Sequence, residues 1–407
     1  MYLAIALVAA LTFVLSAFSL WLERLGVPPL QLALLAGVLA GPFVFGVVDP
    51  QGLGVDSLHV LEEITRVTLV MALLGVALRF PAGYWSTNRR WVIASIGVGM
   101  LVMFAVATGA VLLAGIPLLT AMLIAAAITP TDPVVTTPIV TGPLARERIP
   151  ERVRLNMSSE SGLNDGLGYL LLMLPVLLLT RETGTAWSEW LTATLLLDVT
   201  LAVALGLVAG WAAGRLLDKA IERGWTEDVA LFGYALAFAI GMLGMLRVLG
   251  ADAVLGVFVA GAMFGRQLAP HLREQLGERA DALARIFILP VFALLGVLLP
   301  LDAWGQAGFA LVAVLLLAVI GRRLAGIWLT RPIYAPLHSR AESAFMSAFG
   351  PVGVSALFYA CVAVRHTGED IVFTAVTLAI TLSVIVHGLA TRPLGEWLQR
   401  KEAARAG

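Results

Sequence analysis

A cluster of polar side chains stands where a charged segment gives way to a long apolar run. Glu160, Asn164 and Asp165 lie in "SSESGLNDGLGYLLLMLPVLLLT", which continues to residue 180 without another charge. An Asp near the centre of a membrane helix costs about 2.5–3.5 kcal/mol, so a residue of this kind indicates a function. A carboxylate in a low-dielectric, partly hydrated cavity can alternate between a protonated and a cation-bound form. Asp165 could therefore exchange a proton for a small cation.

A second carboxylate occurs within a helix-breaking sequence. Asp132 lies between Pro130 and Pro133 in "AAAITPTDPVV". Helix N–H and C=O groups are left unpaired around such prolines, so Asp132 can accept hydrogen bonds from a half-helix N-terminus. That role would be structural, and we favour cation binding by Asp132 over it. Hard cations prefer oxygen ligands, and the candidates are Asp165, Asp132, the Ser161 hydroxyl and carbonyls near Thr131.

Glu160 precedes Asp165 by five residues, so the two carboxylates need not face the same cavity. We favour a structural ion pair as its role. The basic residues within apolar segments are few, namely Arg66, Arg322 and Arg323. Glu62 and Arg66 are spaced i,i+4 and are expected to pair with each other.

The composition shows what kind of chain positions these residues. Of 407 residues, 59% are hydrophobic and 13% charged, with a mean hydropathy of +0.92, which indicates an all-α polytopic membrane protein. Residues 91–131 carry no charge at all. The single cysteine, Cys361, excludes a disulfide framework, and no basic tract interleaved with aromatics suggests a nucleic-acid partner.

Apolar runs bounded by charges, Pro and Gly predict about thirteen transmembrane helices. Their centres lie near residues 12, 38, 69, 101, 130, 168, 203, 238, 259, 291, 317, 352 and 381. Basic residues cluster in alternate connections, beginning with Arg24, whereas the opposite connections hold only Arg181, Arg247 and Arg365. The positive-inside rule then places the N-terminus outside and the C-terminus in the cytoplasm.

Two of these spans carry helix breakers in mid-membrane. The fifth contains Pro130 and Pro133, and the twelfth contains Gly350, Pro351 and Gly353 in "SAFGPVGVSALF". Broken backbone at that depth is tolerated only where it is buried in protein or lines a cavity. The two spans lie seven apart, as in two inverted repeats whose interrupted helices cross at a midplane substrate site.

The paired motifs resemble a known family. "TPTDPV" followed about thirty residues later by "ESGLND" is similar to the monovalent cation/proton antiporters, in the branch of NhaP-type sodium/proton antiporters and eukaryotic sodium/proton exchangers. The resemblance implies that Asp165 binds the ion and carries the proton with Asn164 as its partner. It also implies that Asp132, Thr131, Glu160 and Ser161 surround the site, with Na+ at Asp165, Asp132, Thr131 and Ser161.

The resemblance further implies an organisation for the single transmembrane domain, residues 1–407. A core of spans about 88–180 and 305–395 would move against dimerisation spans about 2–80 and 228–300, joined by a linker span about 189–217, within a homodimer embedded in lipid. Asn164 stands where other branches carry Asp, and this is similar to members that exchange ions without net charge.

One motif departs from the family. The break of the twelfth span usually reads Gly-Pro-Arg-Gly, but this chain has Val352 in place of the arginine, so the usual partner of Glu160 is absent. The resemblance places the eleventh span in the same core. Arg322 and Arg323 are adjacent there and point about 100° apart, so at least one can face inward. We predict that one of them pairs with Glu160.

These observations predict a secondary antiporter rather than an enzyme. It would exchange a monovalent cation, Na+ in the favoured version, for H+ by alternating access, without a cofactor, and serve pH homeostasis in the inner (cell) membrane. K+/H+ exchange is the alternative. An intramembrane protease is a remote alternative. The Gly-x-Gly-Asp motif of presenilin-like aspartyl proteases is missing, and "GVSA" lacks the glycine usual after a rhomboid-type serine. No ATP-binding motif supports a primary pump.

Overall fold

The computed structural model describes residues 2–18, 21–22, 29–49 and 56–406, and Arg24 lies outside these ranges. Within them the chain is helical and contains no β-strand. The principal helices are α1 Tyr2–Ala17, α2 Pro29–Ala40, α3 Ser57–Ala77, α4 Arg89–Leu112, α5 Leu118–Ile128, α6 Glu151–Thr180, α7 Thr183–Glu222, α8 Asp228–Val248, α9 Ala253–Gln267, α10 Pro270–Leu298, α11 Leu301–Tyr334, α12 Arg340–Ala348, α13 Val354–Thr367 and α14 Asp370–Ala406. Short helices cover Tyr84–Thr87, Thr137–Val140 and Pro143–Arg148.

Seven helices of the described ranges are long and apolar enough to cross a bilayer: α4, α6, α7, α8, α10, α11 and α14. Shorter apolar helices also occur, among them α2, α5 and α9. The prediction of an all-α polytopic membrane protein is confirmed. The number of thirteen spans stays a prediction, because length and composition alone identify only these seven described helices as membrane-spanning.

The fifth and twelfth spans are both interrupted. α5 ends at Ile128 and helix resumes at Thr137, so Pro130 and Pro133 lie in extended or turn backbone. α12 ends at Ala348 and α13 begins at Val354, and Gly350, Pro351 and Gly353 lie between them. The two breaks meet, since the Asp132 N–H donates to the Pro351 carbonyl over 2.9 Å. Backbone groups freed by one break are thus satisfied by the other.

Several helices pack around this crossing, and the others pack against one another. α6 packs against α5, α9 and α13, and α11 packs against α4 and α14. Elsewhere α10 packs against α2 and α3, and α9 packs against α7 and α8. One hydrophobic cluster joins buried side chains of α3, α7, α8, α9 and α10, while a larger one surrounds the crossing. The division into core and dimerisation spans stays a prediction.

The contact between α6 and α9 depends on glycine. A Cβ on Gly166 would lie 2.6 Å from the Cβ of Leu255, and a Cβ on Gly162 would lie 2.2 Å from the ring of Phe258. Real Cβ atoms do not approach neighbours this closely, so any larger residue would push the helices apart. α6 therefore meets α9 through its backbone, at Gly162 between Glu160 and Asp165 and at Gly166 directly after Asp165.

Candidate ion-binding site

Asp132 caps both half-helices that start at the crossing. Its Oδ1 accepts from the N–H groups of Val134, at 2.7 Å, and Val135, at 2.8 Å, just after its own break. Its Oδ2 accepts from the N–H groups of Val354 and Ser355, the latter at 3.4 Å, in the first turn of α13. One carboxylate thus complements two positive helix ends. These four bonds occupy both oxygens, and the geometry favours a structural role for Asp132.

Arg322 does the converse for the helix ends that stop at the crossing. Its Nη1 donates to the Thr129 carbonyl over 2.7 Å, and its Nη2 donates to the Gly350 carbonyl over 3.0 Å. These carbonyls follow the last turns of α5 and α12, where the helix dipole is negative. Arg322 is fully buried and forms no ion pair with a described carboxylate. The Arg322 guanidinium and the Asp132 carboxylate therefore cap the four helix ends between them.

Glu160 faces Arg323, not the crossing. Nη1 and Nη2 of Arg323 donate to Oε1 and Oε2 of Glu160, the second bond measuring 2.9 Å, and its Nε donates to the Met346 carbonyl, also over 2.9 Å. Both side chains are buried. Gly350 leaves the space for this arginine, because a Cβ there would lie 2.6 Å from Arg323 Cδ. Val352 is buried in the same break and donates its N–H to the Ser383 hydroxyl over 2.8 Å.

Asn164 ties α6 to the first break through Thr131. The Asn164 Nδ2 donates to the Thr131 hydroxyl over 3.0 Å, and the Thr131 N–H donates to the Asn164 Oδ1 over 3.3 Å. The Thr131 hydroxyl also lies 3.1 Å from that of Ser161. This network fixes three neutral oxygen atoms next to the crossing.

Asp165 differs from every other carboxylate of this region. Its side chain is fully buried, and neither oxygen has a hydrogen-bond partner among the described residues. Its backbone carbonyl accepts from the Tyr359 hydroxyl of α13. An isolated buried carboxylate is costly unless a proton or a cation neutralises it. The arrangement leaves Asp165 free to take either one.

The structure thus gathers five of the six proposed ion-site residues at the crossing: Asp165, Asn164, Thr131, Ser161 and Asp132. Glu160 points elsewhere, toward Arg323. Two residues that the sequence analysis did not assign to the site, Tyr359 and Ser355, lie against Asp165 from α13. Their position in the first turns of the half-helix after the second break is the sequence feature that could have identified them.

Two interrupted helices that cross beside a buried, unpaired carboxylate are the architecture of a secondary ion transporter. The family model described as "Sodium/hydrogen exchanger, transmembrane" matches residues 7–397. The chain therefore belongs to the sodium/hydrogen exchanger family.

Individual relatives agree with this assignment. The chain is 26% identical over 402 residues to the Na+/H+ antiporter of Schizosaccharomyces pombe, covering 92% of this chain and 86% of that protein. It is 24% identical over 397 residues to the K+/H+ antiporter NhaP2 of Shewanella sp. (strain MR-4), covering 94% of this chain and 64% of that protein. The chain spans 49%, 45% and 38% of three further yeast relatives. The structure of the sodium proton antiporter MjNhaP1 from Methanocaldococcus jannaschii at pH 8 has the same fold, with a TM-score of 0.74 at 19% identity over 98% of this chain and 99% of that one.

Proposed function

We propose that this protein exchanges Na+ for H+ as a secondary antiporter that works by alternating access. The observation that carries the proposal is the Asp165 carboxylate, which is fully buried and has no hydrogen-bond partner among the described residues. Because one carboxylate cannot hold a proton and a cation together, binding of one releases the other. Competition at Asp165 then couples the two fluxes.

The neighbouring groups have distinct roles in this proposal. Thr131 and Ser161 supply neutral oxygen ligands beside Asp165, and Asn164 holds Thr131 in place. Asp132 contributes negative charge to the site and keeps the two breaks crossed. Glu160 and Arg323 brace α6 against α11.

The preference for Na+ over K+ follows the relatives. The S. pombe protein, at 26% identity and 86% coverage of its length, is a Na+/H+ antiporter, whereas the K+/H+ antiporter NhaP2 matches at 24% and 64%. Asn164 supports exchange of one cation for one proton without net charge. The same proposal includes a homodimer in the cell membrane, a core moving against dimerisation spans, and an outside N-terminus with a cytoplasmic C-terminus.

Proton flux in proteoliposomes tests the function. The purified protein is reconstituted with an internal pH-sensitive dye and an imposed pH gradient, and NaCl, LiCl, KCl or choline chloride is added in turn. We expect NaCl to dissipate the gradient, and choline chloride, which controls for anion and osmotic effects, to leave it intact. Equal responses to NaCl and choline chloride would refute cation exchange, and a response to KCl alone would establish the K+/H+ alternative.

A further inference from the structure

Ser355 is a fully buried side chain that the arrangement described above leaves unused. It lies in the first turn of α13, and its hydroxyl has no hydrogen-bond partner among the described residues. Tyr359, one turn later on the same face of α13, donates to the Asp165 carbonyl, so this face of α13 lies against Asp165. The Ser355 hydroxyl adjoins the Asp165 carboxylate but forms no hydrogen bond with it. Two oxygen-bearing groups without partners therefore lie side by side in the middle of the protein.

The helix offers Ser355 no local partner. A serine within a helix ordinarily donates to a carbonyl one turn earlier, as Ser347 of α12 does to Ser343 over 2.8 Å. The turn before Ser355 is the break itself, and the Pro351 carbonyl already accepts from Asp132. A buried hydroxyl without a partner costs free energy that alanine would not, so its presence points to a ligand that completes it.

We propose that the Ser355 hydroxyl is a further ligand of the cation held by Asp165, and that it favours the smaller alkali cations, Na+ and Li+, over K+. The inference rests on the proposed function of Asp165. The hydroxyl adds an oxygen from α13 to those of Thr131 and Ser161, so that three separate chain segments enclose the cation. A neutral ligand strengthens binding without altering the charge carried per cycle.

The position of this ligand is fixed by the crossing. The Ser355 N–H donates to Asp132, which also holds Val134 and Val135 on the opposite break. A ligand anchored in this way cannot retreat to accommodate a larger ion, and ligand rigidity is one basis of selectivity by size. Ser355 is therefore a specificity-determining residue as well as a ligand.

Ser355→Ala and Ser355→Cys test the inference in the full-length protein. The first removes the oxygen, and the second replaces it with sulfur at similar volume. Both should raise the Na+ concentration for half-maximal exchange about tenfold, the effect of one lost contact of hydrogen-bond strength, with little change in maximal rate. The rate ratio of Na+ to K+ at a fixed, subsaturating concentration should fall. Ser347→Ala, which removes a buried hydroxyl from the other half of the same span, serves as the matched control.

A binding measurement that needs no turnover complements the flux assay. NaCl should raise the Tm of the wild-type protein in detergent, because a ligand of the folded state stabilises it, and the Ser355 variants should require about ten times more NaCl for the same rise. If wild-type protein exchanges Na+ for H+ while the Ser355 variants keep its half-maximal concentration and its ion preference, Ser355 is no ligand. If wild-type protein shows no cation-dependent proton flux, the proposed function itself fails. A fall in maximal rate alone would assign Ser355 to packing and overturn the inference.

Discussion

The buried pair of Glu160 and Arg323 allows a quantitative prediction, and the neighbouring Arg322 serves as its control. Replacing Arg323 with alanine removes both guanidinium contacts and strands the Glu160 carboxylate in a buried site. Loss of one member of such a pair costs about 3–5 kcal/mol, most of it from the uncompensated charge. Glu160→Gln in the same chain removes that charge and should recover about 2 kcal/mol or more.

Arg322→Ala should also destabilise the protein, since Arg322 donates to the Thr129 and Gly350 carbonyls. Hydrogen bonds from charged donors contribute about 1.5–3 kcal/mol each, so the loss is comparable in size. It strands no carboxylate, however, and Glu160→Gln should recover about 1 kcal/mol or less. The two arginines are thus distinguished by rescue rather than by the single-variant effect.

Double-mutant cycles measured from thermal unfolding in detergent separate these cases. We expect a large coupling between Glu160 and Arg323 and a small one between Glu160 and Arg322. Equal rescue of both arginine variants would refute the pairing, as would no rescue of Arg323→Ala. Stabilisation of the otherwise unchanged protein by Glu160→Gln would show that this carboxylate has no partner to lose.

Three further predictions concern the crossing and the ions that it would transport. Asp165→Asn should abolish exchange in proteoliposomes while leaving the Tm near that of wild type, because it removes the ionisable group but keeps its volume; substantial residual exchange would exclude Asp165 as the carrier. Asp132→Asn should lower the Tm markedly, since the amide keeps one acceptor oxygen where four N–H groups converge, and an unchanged Tm with lost transport would instead assign Asp132 to the ion. Exchange at fixed pH and Na+ gradients should not respond to a potential imposed with valinomycin and K+, and a clear response would contradict one-for-one exchange.

Sequence alone predicted those parts of the site that depend on local chemistry. Proline and glycine interrupt a helix wherever they occur in its interior, and an Asp in an apolar run has few explanations, so the breaks and Asp165 stood out. The choice between Arg322 and Arg323 was beyond sequence. Adjacent helical residues differ by about 100°, and only the rotation of α11 against its neighbours decides which faces Glu160.

Two other features depend on the crossing, which no local pattern describes. Asp132 could be interpreted as a cap for one half-helix, but its second pair of N–H donors comes from α13, more than two hundred residues away. Ser355 resembles an ordinary helical serine until the break places the Pro351 carbonyl against Asp132. Contacts between segments so distant in the chain are set by tertiary packing.

In the proposed alternating-access cycle, the charge balance of the crossing determines how much electrical work a moving core would do. Carrying one elementary charge across the full membrane field involves about 2.3 kcal/mol per 100 mV. Asp132 and Arg322 offset each other, and Glu160 and Arg323 form a second neutral set, so these four side chains together move no gating charge. Among the charged side chains described at the crossing, Asp165 alone lacks an opposite charge, and in the proposed exchange its proton or its Na+ would neutralise it during each transit. Under the proposed mechanism, the loaded core would cross in either direction at the same electrical cost, whatever the potential of the cell.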